Sequence, residues 1–160
     1  MLDLSDYRRK RSPTRTSEPF DDGSGGGGPL RFVVQRHAAR RLHYDFRLER
    51  FGALASWALP KGLPLEPGAK HLAVRVEDHP LAYGDFEGEI PAGEYGAGTV
   101  ELWGRGTYEL VEEKADGGLT VKLQGARLQG VWTLVPAQLG GDPKNWLLLR
   151  KEVAAPPRPA

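Results

Sequence analysis

The sequence from Gln35 to Arg47 reads Gln-Arg-His-Ala-Ala-Arg-Arg-Leu-His-Tyr-Asp-Phe-Arg. From position 42 to position 48 apolar and polar side chains alternate strictly, and this period of two is typical of a β-strand with one buried and one solvated face. We therefore predict that the apolar side chains point into a core: Leu42, Tyr44, Phe46 and Leu48. A row of polar side chains is then predicted on the solvent face: Arg41, His43, Asp45, Arg47 and Glu49.

The polar row contains the side chains of a candidate metal site. His43 and Asp45 are next-but-one neighbours in it, and a second imidazole, His37, lies six residues before His43. Two imidazoles and one carboxylate are a common ligand set for a divalent transition metal, and they leave coordination positions for water or substrate. Arg47 adds a planar guanidinium suited to a phosphate or carboxylate. The pattern predicts a metal-assisted site acting on an anion; the alternative is a polar strand face with an ion pair between Asp45 and Arg47.

The composition fits one domain of a turn-rich β protein. The chain has 160 residues with 21 glycines and 13 prolines, and its apolar runs are short. No run approaches the roughly 20 apolar residues of a membrane span, and the segment from Met1 to Asp6 has no signal-peptide pattern. The chain has no cysteine, so a metal would be held by histidine and carboxylate. We expect a cytoplasmic protein without membrane association.

The net charge of +1 conceals an uneven distribution. Residues 1–50 hold eleven Lys or Arg against seven Asp or Glu, whereas residues 51–110 hold four against nine. Six arginines cluster around the candidate site: Arg31, Arg36, Arg40, Arg41, Arg47 and Arg50. A local positive field attracts polyanions even when the whole protein is nearly neutral. This indicates a nucleic-acid partner, with ordinary solubilising charge as the alternative.

The glycine-rich and proline-rich stretches of the chain predict three segments. Residues 1–29 include a basic run and end in a glycine-rich stretch, which predicts a flexible arm and linker. Residues 30–152 are predicted to form the folded domain, and the proline-rich residues 153–160 a tail. Within the domain, short strands separated by frequent turn signals predict an antiparallel barrel or sandwich. Gly104-Arg105-Gly106 is predicted to be the turn of one hairpin.

Four further side chains are candidates for the site. His79 follows a predicted strand, with Tyr83 four residues later, and a loop there could bring both over the polar row. Lys61 follows another strand and could supply a second positive charge to a phosphate dianion. Residues 71–77 are predicted to be a strand that buries its apolar side chains, Leu72, Val74 and Val76, which would direct His71 to solvent. The glycine-rich residues 93–98 lack the Lys-Ser/Thr pair and the following helix of a phosphate loop, so they predict a turn.

Four separated motifs resemble the 3′-phosphoesterase domain of bacterial DNA ligase D and its stand-alone relatives. They span Gln35 to Arg47, Trp57 to Gly62, Val76 to Tyr83 and Phe86 to Gly96. Their order and spacing are those of the family, and the resemblance covers about residues 30–150. It implies a compact antiparallel β-barrel with the active site on its outer surface. It also implies an enzyme that removes a 3′-terminal ribonucleoside from a primer strand and then hydrolyses the remaining 3′-phosphate to a 3′-OH.

The resemblance assigns roles to individual residues. His37, His43 and Asp45 match metal ligands, with Mn²⁺ as the expected metal and Co²⁺ or Zn²⁺ as alternatives. The other matches are as follows: Arg47 and His79 contact the phosphate, Tyr83 assists, Gln35 supports the metal shell, and Lys61 serves chiefly the monoester step. The implied partners are nucleic acid 3′ ends, together with ligase, polymerase and Ku in end joining. We expect a monomer in the cytoplasm, associated with the nucleoid.

Two positions depart from the family pattern. His71 stands where the family usually has an Arg that is also linked to the monoester step, so phosphate binding there depends on the imidazole's proton. In the amino-terminal segment Arg11 and Glu18 match the family, but Ser12 stands where the family has Asp. These departures bear on the phosphatase step and on the role of the amino-terminal arm.

Two other function classes remain open from the sequence. His43, Asp45 and a distal His79 are also the residue types of the two-His, one-carboxylate triad of non-haem iron oxygenases, although this leaves His37 without a role. A non-catalytic barrel could instead bind nucleic acid through its arginines and aromatic side chains.

Overall fold

Residues 29–151 are described by the computed structural model, and alternating apolar side chains organise them into nine β-strands. The strands are β1 (Arg31–Ala38), β2 (Leu42–Arg50), β3 (Ala53–Leu59), β4 (Lys70–His79), β5 (Gly88–Ile90), β6 (Gly98–Glu113), β7 (Leu119–Gly125), β8 (Gln129–Pro136) and β9 (Asn145–Arg150). Two short 3-10 helices connect them, η1 (Leu81–Asp85) and η2 (Leu139–Gly141). In the described residues, no helix is long and apolar enough to cross a membrane.

The strands form one antiparallel sheet that closes on itself. The order is β1-β2-β3-β4-β9-β8-β7-β6-β5, and an additional pairing of β1 with β6 completes an eight-stranded barrel. The short strand β5 pairs with the amino-terminal end of β6 outside this ring. The predicted all-β class is therefore confirmed as a barrel, one of the two architectures that the strand pattern left open. The predicted arm and tail fall largely outside the described residues, so the segment boundaries at 29 and 152 remain predictions.

The interior of the barrel is filled by large apolar side chains that alternate along each strand. Fully buried members include Phe46 and Leu48 of β2, Trp57 of β3 and Trp132 of β8. Each such side chain contributes about 1.5–3 kcal/mol by leaving water. The Trp132 indole N–H donates to the Pro64 carbonyl at 2.8 Å, which satisfies its one polar atom. The filled interior leaves the outer wall as the place for a polar site.

A second apolar cluster lies on the outer wall of β1, β2 and β3. It consists of Leu54, Leu81, Tyr83, Phe86, Ile90 and Val100, which come chiefly from η1, β5 and the start of β6. Gly84 of η1 lies so close to the wall that a Cβ there would be 3.2 Å from Val33 Cγ2. The segment 81–90 is thus a second layer over the barrel, and polar side chains between the two layers are removed from water.

The prediction that the polar face of β2 is exposed to solvent is wrong, because this second layer covers it. Asp45 and Arg47 point away from the barrel interior, as the alternation requires, yet they are only 6% and 2% exposed. Leu42, predicted to be buried, is instead 45% exposed near the start of the strand. The alternation therefore identified the two faces of β2 correctly in its middle but not their environment, because the cover comes from a segment some 40 residues away.

The hairpin predicted at Gly104-Arg105-Gly106 is also wrong. These residues lie within the single 16-residue strand β6, whose first half pairs with β1 and whose second half pairs with β7. Gly106 has partners on both sides, Phe32 and Gly125. Gly106 permits close backbone approach where three strands meet, and the chain does not reverse here.

The predicted faces of β4 are reversed. Ala73 is fully buried in the barrel core, whereas Leu72 is 36% exposed. His71 shares the face of Ala73 and is half-buried, with Nδ1 donating to the Gly62 carbonyl at 2.8 Å. Val76 lies on the outer face and lines the cleft described below. The alternation in 71–77 is real, but the larger apolar residues face outward.

Substitution of Gly104 and Gly106 in β6 tests this account of barrel closure. At Gly106, an added Cβ would overlap the Gln124 carbonyl oxygen and lie 2.8 Å from Gly125 Cα. We expect Gly106→Ala to lower the free energy of unfolding by about 1–3 kcal/mol. At Gly104 the nearest atom would be Leu128 Cδ1 at 3.6 Å, so Gly104→Ala is the matched control and should change stability by less than about 1 kcal/mol. Urea denaturation of both variants measures the difference; equal stability would contradict the close approach of β6 and β7.

Candidate active site

The β1–β2 hairpin brings the three candidate metal ligands together. Residues 39–41 form the connection, and the antiparallel register places His37 directly opposite His43 and Gln35 opposite Asp45. Directly opposed side chains on one face lie roughly 5 Å apart at Cβ. The six-residue separation in the sequence therefore becomes direct contact, and all three side chains stand on the outer wall.

The ligand atoms converge on one point. His37 Nδ1 is 3.5 Å from Asp45 Oδ2, and His43 Nε2 is 3.2 Å from Asp45 Oδ1. One ligand atom from each of the three residues lies within 4.8 Å of the others. The two imidazole rings are tilted against each other with centroids 4.8 Å apart. The predicted three-residue cluster is therefore present and could bind a metal ion.

Hydrogen bonds at the back of each imidazole fix which nitrogen faces the cluster. His37 Nε2 is 2.6 Å from the Gly96 carbonyl, and His43 Nδ1 is 3.2 Å from the Arg41 carbonyl. A carbonyl oxygen only accepts, so each of these nitrogens carries a proton and donates it. In a neutral ring, Nδ1 of His37 or Nε2 of His43 then presents a lone pair that a metal ion could use, whereas in a protonated ring the same nitrogen donates to Asp45. Metal-binding histidines typically have this arrangement, and the two-nitrogen, one-oxygen donor set suits Mn²⁺, Co²⁺ or Zn²⁺.

Neighbouring charges keep Asp45 ionised despite its burial. Burial alone would raise the pKa of Asp45, but the Arg47 guanidinium, followed by hydrogen bonds from His37 and His43, holds it well below its usual range. Burial would lower the pKa of His43, but the hydrogen bond and negative charge of Asp45 outweigh burial and raise it. The carboxylate is thus an anion at neutral pH, as metal ligation requires.

Arg47 is held in a buried network next to this cluster. Its Nε donates to Gln35 Oε1 at 2.6 Å and its Nη1 donates to Ser56 Oγ at 2.8 Å. Its Nη2 lies 3.5 Å from Asp45 Oδ2, and the guanidinium carbon lies 4.8 Å from the centre of the Tyr83 ring. The planar fork is therefore fixed in orientation, which favours recognition of an oxyanion.

His79 and Tyr83 lie on the other side of Arg47. The two rings meet edge to face with centroids 4.6 Å apart. His79 Nδ1 is 2.9 Å from the Glu77 carbonyl and 3.2 Å from Arg47 Nη1. One nitrogen cannot donate to the carbonyl and accept from the guanidinium at once, and the shorter contact favours a proton on Nδ1. A neutral His79 ring then carries its lone pair on Nε2.

Gln35 connects Arg47 to the covering layer. Its amide nitrogen donates to the carbonyls of Tyr83 at 2.8 Å and Phe86 at 3.1 Å, and its oxygen accepts from Arg47. The family resemblance implies that Gln35 supports the metal shell. In the structure these hydrogen bonds orient Arg47 and the η1 segment, and support of the metal shell by Gln35 stays a prediction.

Lys61 and His71 do not line the cleft that contains the cluster. Lys61 is exposed in the turn after β3. His71 binds the carbonyl of the next residue, Gly62, so it contacts the turn that carries Lys61. Arg11 and Glu18, suggested by the resemblance, lie outside the described residues.

A cleft of about 310 Å³ contains the whole arrangement. Its polar side is formed by His37, His43, Asp45, Arg47, Glu77 and His79, and the remaining lining residues are Ala39, Ala58, Val76, Tyr83, Ile90, Tyr95 and Gly96. Glu77 and Tyr95 were not identified from residue spacing. Glu77 is a next-but-one neighbour of His79 on one strand, which was a usable signal; the position of Tyr95 follows only from the loop that covers His37.

The arrangement places a candidate metal cluster and a fixed guanidinium on the two sides of one carboxylate. An anion in the cleft would meet positive charge from both, in a site removed from water, where such interactions are strengthened. This is suited to stabilising charge that develops on a phosphoryl oxygen.

Comparisons with known proteins agree with this geometry. A family model described as the DNA Ligase D 3′-phosphoesterase domain matches residues 35–136. The multifunctional non-homologous end joining protein LigD of Pseudomonas aeruginosa is 47% identical over 153 residues, covering 92% of this chain and 18% of that protein. The Mycobacterium bovis protein of the same description is also 47% identical over 153 residues, with 92% and 19% covered, and that of Mycolicibacterium smegmatis is 42% identical over 167 positions, with 98% and 21% covered. The chain thus spans about a fifth of the length of these relatives, and it belongs to the DNA ligase D 3′-phosphoesterase domain family.

Proposed function

We propose that this chain is a Mn²⁺-dependent phosphoesterase that repairs the 3′ ends of DNA and of mixed RNA/DNA strands. Membership of the family supports 3′-end processing, and the cleft supports chemistry on a phosphate. One observation carries the proposal: Asp45 contacts both imidazoles and the guanidinium of Arg47, at 3.2–3.5 Å. A metal-binding group and an oxyanion clamp are thereby joined through a single buried side chain.

In the proposed site, His37, His43 and Asp45 hold the metal ion. When bound, the ion supplies Lewis-acid polarisation of a phosphoryl oxygen. Arg47 binds the other phosphate oxygens together with His79, which donates from Nε2 when its ring is protonated, and Gln35 and Ser56 keep Arg47 in position. Tyr83 supports both by packing under His79 and Arg47.

Two successive hydrolyses account for the repair of an end. In the first, water forms a bond to the phosphorus of the last diester, the bond to the 5′-oxygen of the terminal ribonucleoside breaks, and that oxygen receives the proton. The strand then ends in a 3′-phosphate. In the second, water releases inorganic phosphate and leaves a 3′-OH. Lys61 and His71 serve the second step in this proposal, and Arg11 and Glu18 of the amino-terminal arm contact the nucleic acid.

The biological setting is proposed from the relatives. Their names place them in non-homologous end joining, so the substrates proposed here are broken or primer 3′ ends. The proposed partners are ligase and polymerase modules and Ku, and the proposed state is a monomer in the cytoplasm, associated with the nucleoid. The oxygenase alternative is disfavoured, because in the described residues the three-ligand group contains His37 and not His79.

The primary test is a labelled primer-template with either one terminal ribonucleotide or a 3′-phosphate, incubated with the protein and Mn²⁺. We expect both ends to be converted to a 3′-OH, and excess chelator to abolish both conversions. Folded protein that binds this DNA but yields no product at saturating metal would refute the enzyme and favour the non-catalytic binding barrel.

The metal cluster is tested separately by histidine substitution. We expect His37→Ala and His43→Ala each to weaken Mn²⁺ binding by more than about a hundredfold, since loss even of a supporting outer contact typically costs 10- to 100-fold. His71→Ala is the matched control: it removes a histidine outside the cluster and should retain metal affinity. Calorimetric titration with Mn²⁺ measures all three. Unchanged affinity in His37→Ala would remove this residue from the ligand set.

Arg47→Lys tests the orientation of the guanidinium. Lysine keeps the charge but cannot form the planar fork or contact Gln35, Ser56 and Asp45 together. We expect kcat for both ends to fall by about 10²–10³-fold, the usual cost of losing a group that stabilises transition-state charge. Arg105→Lys, at an exposed position paired with Asp85, is the control and should act like the wild type in the same assay. Full activity in Arg47→Lys would show that the charge alone suffices.

A further inference from the structure

The cleft has an aromatic side chain at its mouth that the proposed chemistry does not use. Tyr95 lines the cleft and is 49% exposed, whereas Tyr83 in the same cleft is 2% exposed. Tyr83 is part of an apolar cluster, and Tyr95 is not among the buried members of either cluster. A large ring left half in water beside a binding site is suited to stacking with a flat ligand group.

The backbone around Tyr95 is fixed directly against the candidate metal cluster. The Glu94 N–H donates to the Pro91 carbonyl at 3.1 Å, and the Ala97 N–H donates to the Glu94 carbonyl at 3.1 Å. Between them, the Gly96 carbonyl accepts from His37 Nε2 at 2.6 Å. A Cβ at Gly96 would lie 3.3 Å from His37 Cε1, at a positive φ of 77°. Tyr95 is therefore held one residue from the group that orients a candidate metal ligand.

The charge of this loop shows which part of a nucleic acid it can accept. From Phe86 to Val100 the sequence has no Lys or Arg, but it has Glu87, Glu89 and Glu94. Glu94 adjoins Tyr95 in the chain and Glu77 lines the cleft, so a strand that continued past Tyr95 would bring its phosphates towards carboxylates, which is unfavourable. A terminal nucleoside has no phosphate on its 3′ side, so it is the one uncharged part of the strand. An aromatic ring on an acidic wall fits a strand end.

We propose that Tyr95 stacks on the base of the 3′-terminal nucleoside, the group that leaves in the diester step. This inference rests on the proposed function and adds a binding residue to it. It predicts that the two reactions differ: the diester substrate has a base on its leaving side, whereas the 3′-phosphate has none. Tyr95 then positions the terminal nucleoside for the first reaction and contributes little to the second.

The test compares Tyr95→Ala with the wild type on both ends. Loss of one base–aromatic stack typically corresponds to about a tenfold to hundredfold loss of affinity. We expect kcat/KM for the terminal ribonucleoside to fall by about that factor, mainly through KM, and that for the 3′-phosphate to fall less than about threefold. Tyr95→Phe keeps the ring and should restore most of the diester activity. Phe51→Ala, which removes a 64% exposed ring from the opposite end of β2, is the control for loss of a surface aromatic.

A substrate without the terminal base gives a second, independent readout. Wild-type enzyme acting on a primer that ends in an abasic ribose should lose the same factor as Tyr95→Ala does on the normal primer. Removal of the base should then have no further effect on Tyr95→Ala, because ring and base act together. Equal loss on both ends, or multiplying losses in the abasic experiment, would overturn the stacking role. Wild-type protein that cleaves neither end would instead overturn the proposed function itself.

Discussion

A buried carboxylate on the outside of a barrel is the constraint on which the site depends. Asp45 lies between the barrel wall and the η1–β5 layer, where an unpaired negative charge would be costly. The fold compensates it from two sides, with imidazoles at 3.2 and 3.5 Å and the Arg47 guanidinium at 3.5 Å. A metal ion held by His37, His43 and Asp45 would supply positive charge at the same place and so preserve this compensation. The same pairing that makes the burial tolerable therefore also prepares the site to bind a cation.

Burial of the positive charge of Arg47 is costly in the same way as burial of the negative charge of Asp45. Arg47 is almost fully buried, and its Nε, Nη1 and Nη2 each have one partner, in Gln35, Ser56 and Asp45 respectively. Gln35 in turn binds two carbonyls of the covering layer, at Tyr83 and Phe86. A chain of hydrogen bonds thus runs from the covering segment to the carboxylate. Any movement of that segment would disturb the guanidinium before it disturbed the barrel.

The sequence predicted the barrel class and the metal cluster because both depend on short-range order. Alternation along β2 placed His43, Asp45 and Arg47 on one face, and a tight hairpin necessarily returns His37 towards His43. The two wrong predictions about strands have local causes as well. Glycines at 104 and 106 are typical both of a turn and of close strand packing, so the sequence could not distinguish a hairpin from one long strand. In β4 the larger apolar residues lie on the outer face, so the rule that these residues are buried gave the wrong face. Burial of Asp45 and Arg47 could not be predicted, because Gln35 and Tyr83 are separated by 48 residues. The alternation within β2 contains no information about a segment that covers it from so far along the chain.

Placement on the outer wall also separates the packing of the barrel interior from the packing of the site. The interior is filled with Trp57, Trp132 and their neighbours, so side chains there have no room to admit a ligand. The covering layer is attached by its own apolar cluster, by the pairing of β5 with β6, and by hydrogen bonds from Arg31, Gln35 and His37. Segments with few buried contacts open at lower free energy than the core. A local opening of this layer would therefore expose the charged groups while the strands that carry His37, His43 and Asp45 keep their register. The layer that removes water from the charged groups is consequently distinct from the core that holds those strands together.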